Sequence, residues 1–96
     1  MEINEDRIKR MFKIYLNKNG YKGDIHERLY NFYVKEMEHI IDMNKKYSKL
    51  KPFTRFFKNK KYSKEIFEYK SNEELFNKTI NNVNNVMLKI MRLEIE

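Results

Sequence analysis

The chain has 96 residues, a formal charge of +7 from 21 Lys/Arg against 14 Asp/Glu, no Cys, no Trp, one Pro and two Gly. Such a length is that of one domain, read here as residues 1–96, and the composition excludes a disulfide scaffold, a Cys-ligated zinc site and cysteine catalysis. No apolar run approaches the roughly 20 residues a membrane-spanning helix needs, while 41% hydrophobic residues, with seven Phe and seven Tyr, suffice for a small core.

The first predicted element is an amphipathic helix. Ile8, Met11, Phe12, Tyr15 and Leu16 recur at spacings of 3, 1, 3 and 1, which line one helical face. Asn4 is the expected N-cap, with Glu5 and Asp6 in the electropositive first turn. Ile3 and Ile8 occupy the two hydrophobic-staple positions. Asn19-Gly20 closes the helix, Gly20 being free to adopt a left-handed conformation.

A second helix is expected from Asp24, where Asp24-Ile25-His26-Glu27 has the form of a capping box. Ile25, Leu29, Phe32, Tyr33, Met37, Ile40 and Ile41 form its main apolar stripe, widened by Tyr30 and Val34. It runs to about Tyr47 or Ser48, before Pro52 bars continuation and forces Lys51 out of the helical region. The short link from the first helix implies antiparallel packing.

Two readings stand for residues 51–70. Pro52 can open a short helix that buries Phe53, Phe56 and Phe57, or the stretch can form a two-stranded hairpin turning at Asn59-Lys60-Lys61. The helix is preferred, because an isolated hairpin is marginal in water. Ser71-Asn72-Glu73-Glu74 is then a capping box for a last helix. In it Phe76, Ile80, Val83, Met87 and Ile90 recur at 4, 3, 4 and 3, a heptad-like seam that can dock on the first two helices or on a second copy in a homodimer. Asn81, Asn82, Asn84 and Asn85 are poor helix formers, so this helix depends on packing. The expected fold class is all-α: a small bundle of an antiparallel helical hairpin plus a C-terminal helix.

Charge is unevenly placed. Between Asp42 and Glu65 there is no acid, and residues 44–64 hold nine basic ones: Lys45, Lys46, Lys49, Lys51, Arg55, Lys58, Lys60, Lys61 and Lys64. Outside that window the balance is twelve basic against fourteen acidic. Tyr47, Phe53, Phe56, Phe57 and Tyr62 interleave with the charges. Lys outnumbers Arg sixteen to five, the profile of AT-rich coding sequence in a low-GC bacterium or its mobile elements. Drift of that kind explains many lysines but not missing acids, since Glu is also cheap there. Basic side chains gain free energy by releasing counterions from phosphates, and exposed aromatics stack on unpaired bases. The block is therefore expected to bind a polyanion, with Arg55 the best phosphate fork, Lys58, Lys60 and Lys61 point charges, and Tyr62 a stacking surface.

Other chemistry finds little support. Glu36-x-x-His39 has the spacing of a helical di-metal ligand pair, but no further inward carboxylates accompany it, and the surface reading is preferred. Gly20 and Gly23 make no phosphate loop, and Ser71 is better explained as a cap than as a nucleophile. A helix-turn-helix would need shorter, more sharply crossed helices. The helical hairpin about Gly20, with Glu36-Met37-Glu38 in its second arm, resembles the small sporulation-type aspartyl-phosphate phosphatases. Their signature is Ser-Gln-Glu-Leu-Asp, and here Val34-Lys35 stands in place of Ser-Gln. The match covers three conservative positions, and no site residue is carried over from it.

The expectation is a small non-catalytic regulator, with no metal and no cofactor, that contacts nucleic acid or a nucleic-acid-handling complex through residues 44–64. The alternatives are a phage or mobile-element inhibitor of a host defence nuclease (anti-CRISPR-like) and a structural helical homodimer. The acidic Met1–Asp6 start has no apolar leader core, and a cytoplasmic location is expected.

Overall fold

The fold is all-α, with the N-terminal hairpin and C-terminal helix in the expected order. The computed structural model describes residues 3–48 and 68–95. They form α1 (Glu5–Lys18), α2 (Asp24–Ser48) and α3 (Asn72–Ile95), with no strand among the described residues. Of the 51–70 connection, residues 51–67 lie outside the described residues, so both readings fall largely there; residues 68–70 are neither helix nor strand.

Local sequence sets each boundary. Asn4 caps α1, its side-chain oxygen accepting from the Arg7 amide at 3.1 Å. At the other end the Gly20 amide donates to the Asn17 carbonyl and the Tyr21 amide to the Leu16 carbonyl, both at 3.1 Å. That pair of bonds is a Schellman closure, and it needs the left-handed φ of 80° that Gly20 supplies. The expected cap of α2 shifts by one residue. The Glu27 amide bonds the Gly23 carbonyl at 3.2 Å, so Gly23 is the half-in residue and Asp24 is already helical. Asp24 still serves as an anion in the positive first turn.

The capping box of α3 is present in altered form. Ser71 Oγ accepts from the Glu74 amide at 3.1 Å, but the Glu74 carboxylate reaches back to the Lys70 amide, also at 3.1 Å. One more orphan donor is satisfied just outside the helix.

Polar pairs give the topology. The Asn4 amide donates to Asn72 Oδ1 at 3.0 Å and Arg7 pairs with Glu73 at 3.1 Å, so α1 and α3 start side by side and run the same way. Tyr33 reaches Asn84 at 3.5 Å and Asn82 reaches Glu36 at 3.2 Å, so α2 runs against them. The bundle is up-down-up.

Its core is formed by Ile8, Phe12 and Leu16 of α1, Leu29, Tyr33, Met37 and Ile40 of α2, and Leu75, Ile80 and Val83 of α3. Phe12 is the hub of an aromatic cluster. Its ring centroid lies 5.5 Å from both Tyr33 and Phe76, and Tyr15 meets Tyr33 at 6.2 Å and Phe76 at 6.0 Å. Thr79 is fully buried and satisfies its hydroxyl on the Leu75 carbonyl at 2.8 Å, a bond within its own helix.

Two expectations for the α2 stripe are corrected. Ile25 and Phe32 are exposed, at 59% and 57%. Both sit on the flank of the helix, roughly 80–100° from Tyr33 at 3.6 residues per turn, and Phe32 lines an open groove beside α3. The α3 seam is mostly spent inside the chain. Ile80 and Val83 are buried and Phe76 and Met87 pack against the core, while Ile90 is 51% exposed. Leu75 and Thr79, absent from the predicted seam, are the most buried of the α3 side chains described.

Candidate interaction surfaces

Of the predicted basic residues, Lys45 and Lys46 lie in the last turn of α2, and both are exposed. Cations there complement the negative end of the helix dipole. Lys46 also pairs with Asp42 one turn back, at 3.1 Å. Lys49, Lys51, Arg55, Lys58, Lys60, Lys61, Tyr62 and Lys64 lie outside the described residues.

A second basic surface lies on α1, and sequence reasoning passed over it. Between Asp6 and Asp24 there is no acid, and there are six basic residues: Arg7, Lys9, Arg10, Lys13, Lys18 and Lys22. The signal was the same one that marked residues 44–64. Set in the whole remainder of the chain, whose acids outnumber its bases, it does not stand out. The chain outside both blocks holds all fourteen acids and only six bases.

The helix geometry of α1 divides this stretch cleanly. Ile8, Phe12 and Leu16 are fully buried on one side. Arg10, Lys13, Ile14 and Asn17 are exposed on the opposite side, at i, i+3, i+4 and i+7. Ile14 is 54% exposed in the middle of this face, with no packing role to explain it. Arg7 at one edge pairs with Glu73, and the Lys13 ammonium sits 5.2 Å from the Tyr30 ring centroid. The outer faces of the other helices differ in kind. That of α2 mixes Glu27, Glu38 and Asp42 among its bases, and that of α3 carries Asn77, Asn81 and Asn85.

An apolar groove of about 270 Å³ runs between α2 and α3, walled by Phe32, Val83, Val86, Met87 and Ile90. Its polar edge is closed by the bond between Asn82 and Glu36. The groove is lined by α2 and α3 alone, on the flank that α1 does not cover; at its far end α3 also outruns α1, since Asn4 sits level with Asn72 and α1 ends at Lys18.

A second depression, near the α1–α2 turn, is lined by Tyr15, Tyr21, Tyr33, Asn84 and Leu88. Burial, with smaller contributions from Tyr15 and Tyr21, pushes the Tyr33 hydroxyl up to about 12. It stays protonated at neutral pH, so this pocket can hydrogen-bond but offers no base there. Tyr69 is also raised, by burial first and then by Glu5. Glu36 of the Glu36/His39 pair is engaged by Asn82, and among the described residues no three His, Asp or Glu gather as a metal site. No described helix is long and apolar enough to cross a membrane.

Comparison with protein-family models, with curated proteins and with solved structures finds no match for this chain.

Proposed function

We propose that the chain is a non-catalytic binding protein that contacts nucleic acid, or a nucleic-acid-handling complex, through the block at residues 44–64. The observation that supports this reading is the exclusion of acids: nine bases and no carboxylate between Asp42 and Glu65. The exposed Lys45 and Lys46 mark where the block leaves α2. Phosphates bind such a surface by releasing counterions, so affinity falls linearly on a log–log plot against salt, with a slope of about −0.9 per neutralised phosphate of B-form duplex.

The test is gel retention of labelled nucleic acid, duplex and single-stranded, by the full chain and by a Lys58→Glu, Lys60→Glu, Lys61→Glu variant. Retention that weakens in the variant, with a shallower salt slope, is the expected result. Unchanged retention sinks the proposal. So does a full chain that holds no nucleic acid but forms a stoichiometric complex with one protein that itself handles no nucleic acid.

A further inference from the structure

We infer that the outer face of α1 is a second nucleic-acid surface, and that it reads the major groove of duplex DNA. The inference rests on the nucleic-acid reading above and adds a site, a duplex substrate and sequence preference to it.

Three observations meet on this face. First, it is free of acid from Arg7 to Gly23, with Glu5, Asp6 and Asp24 only at the two ends. Second, its exposed residues are the types that recognise base edges. Arg10 and Lys13 match the O6/N7 edge of guanine, Asn17 the N6/N7 edge of adenine, and an apolar side chain such as Ile14 the methyl of thymine. Third, these four stand at i, i+3, i+4 and i+7, the spacing by which a helix lying in the major groove brings one row of side chains to successive bases. Ile14, 54% exposed, is then a contact residue rather than an unpaid exposure to water.

The surroundings fit the same role. Ile8, Phe12 and Leu16 on the core side of α1 are fully buried, so Arg10, Ile14 and Asn17 point away from the core, with Lys13 at the edge of the row beside Tyr30 of α2. Lys9, Lys18 and Lys22 flank the row and are placed for phosphates on either side of the groove. A B-form major groove about 12 Å wide admits one helix, whereas the deep, narrow major groove of duplex RNA does not. The face therefore favours DNA duplex over RNA.

The experiment uses a pool of DNA duplexes with a randomised core, incubated with the full chain, and the retained fraction is sequenced. Two variants accompany it, Arg10→Ala with Asn17→Ala, and Lys58→Glu with Lys60→Glu and Lys61→Glu. All α1 positions altered are exposed, and an unchanged thermal melt verifies the fold. The expected result is an enriched motif for the full chain, which the α1 variant loses or changes. Its affinity for the enriched duplex should fall about 5- to 150-fold per lost base contact. The Lys58/Lys60/Lys61 variant binds more weakly yet enriches the same motif.

If the full chain retains duplexes in a salt-dependent way but enriches no motif, or if the α1 variant enriches the same one, the inference falls and the proposed function stands. Preference for single strands or duplex RNA over the DNA pool also overturns it. If the full chain retains no nucleic acid of any form, the inference falls, and with it the direct nucleic-acid arm of the proposed function.

Discussion

Phe12 and Phe32 offer a controlled test of where this fold draws its stability. Both are phenylalanines in mid-helix, but Phe12 is fully buried among Tyr33 and Phe76, whereas Phe32 is 57% exposed on the rim of the groove. A buried aromatic removes roughly 150–200 Å² from water, which at about 25 cal/mol/Å² is about 4 kcal/mol, in line with Phe→Ala costs of about 3–5 kcal/mol in cores. Phe32 keeps a little under half of such an area buried, so its truncation is worth about 2 kcal/mol at most, and less if neighbours close into the open groove. With a urea m-value of about 1.5 kcal/mol/M, Phe12→Ala lowers the midpoint by about 2–3 M and Phe32→Ala by about 1 M or less. A domain of this size holds only about 5–15 kcal/mol in total, so the first variant should be near the edge of folding at 37 °C. Urea melts followed by helical circular dichroism measure both. A Phe12/Phe76 double-mutant cycle should add a coupling of about 0.5–1.5 kcal/mol from the stacked rings. Equal losses for Phe12→Ala and Phe32→Ala would refute the assignment of the core.

Two further predictions concern the hairpin turn and the buried tyrosine. Gly20 has φ of 80° and no atom within 4 Å of where a Cβ would stand, so Gly20→Ala costs about 1–2 kcal/mol from backbone strain alone, and Gly20→Asn costs less; equal melting temperatures for all three would show that the turn is not held left-handed. Tyr33 ionises near 10 when unfolded and is raised to about 12 in the fold, so the unfolded state loses its proton first as pH rises. Its contribution is complete below pH 10 and is lost between about pH 10 and 12; melts at pH 9 and 11 should therefore diverge more for the full chain than for Tyr33→Phe, and parallel losses would remove Tyr33 as the cause.

Much of this fold was legible because α1 and α3 carry local signals that agree with one another. Asn4, Gly20 and Ser71 mark boundaries by their own hydrogen-bonding chemistry, and that chemistry does not depend on distant residues. Periodicity was less exact for α2. Its stripe was drawn wide enough to include Ile25 and Phe32, because apolar spacing alone cannot tell a covered flank from an open one. Coverage depends on where the neighbouring helices lie, which is a tertiary fact. For the same reason Ile90 keeps the seam's spacing but not its burial. Leu75 and Thr79 were missed because a heptad count starting at Phe76 steps over them; a buried Thr is tolerable only when its hydroxyl finds a carbonyl, here that of Leu75. The basic face of α1 was legible in full. It needed only the acid-free criterion applied to the chain a second time.

That face also bears on whether the charge is drift. AT-rich coding favours lysine without excluding glutamate, and a helix selected only for stability gains from mixing them. α2 does so, with Asp42 and Lys46 paired at i, i+4. Past its first turn α1 does the opposite. Lys9 and Lys13 stand at i, i+4, and Arg7, Arg10 and Lys13 follow at steps of three. Each such like-charge pair costs a few tenths of a kcal/mol, about as much as an opposite pair would contribute. Neutral drift has no reason to remove every carboxylate from Arg7 to Gly23 while leaving fourteen elsewhere. Stability gives no reason either, since the helix holds despite these repulsions through Ile8, Phe12 and Leu16. A polyanionic partner does give one, because each acid placed on that face would meet its phosphates.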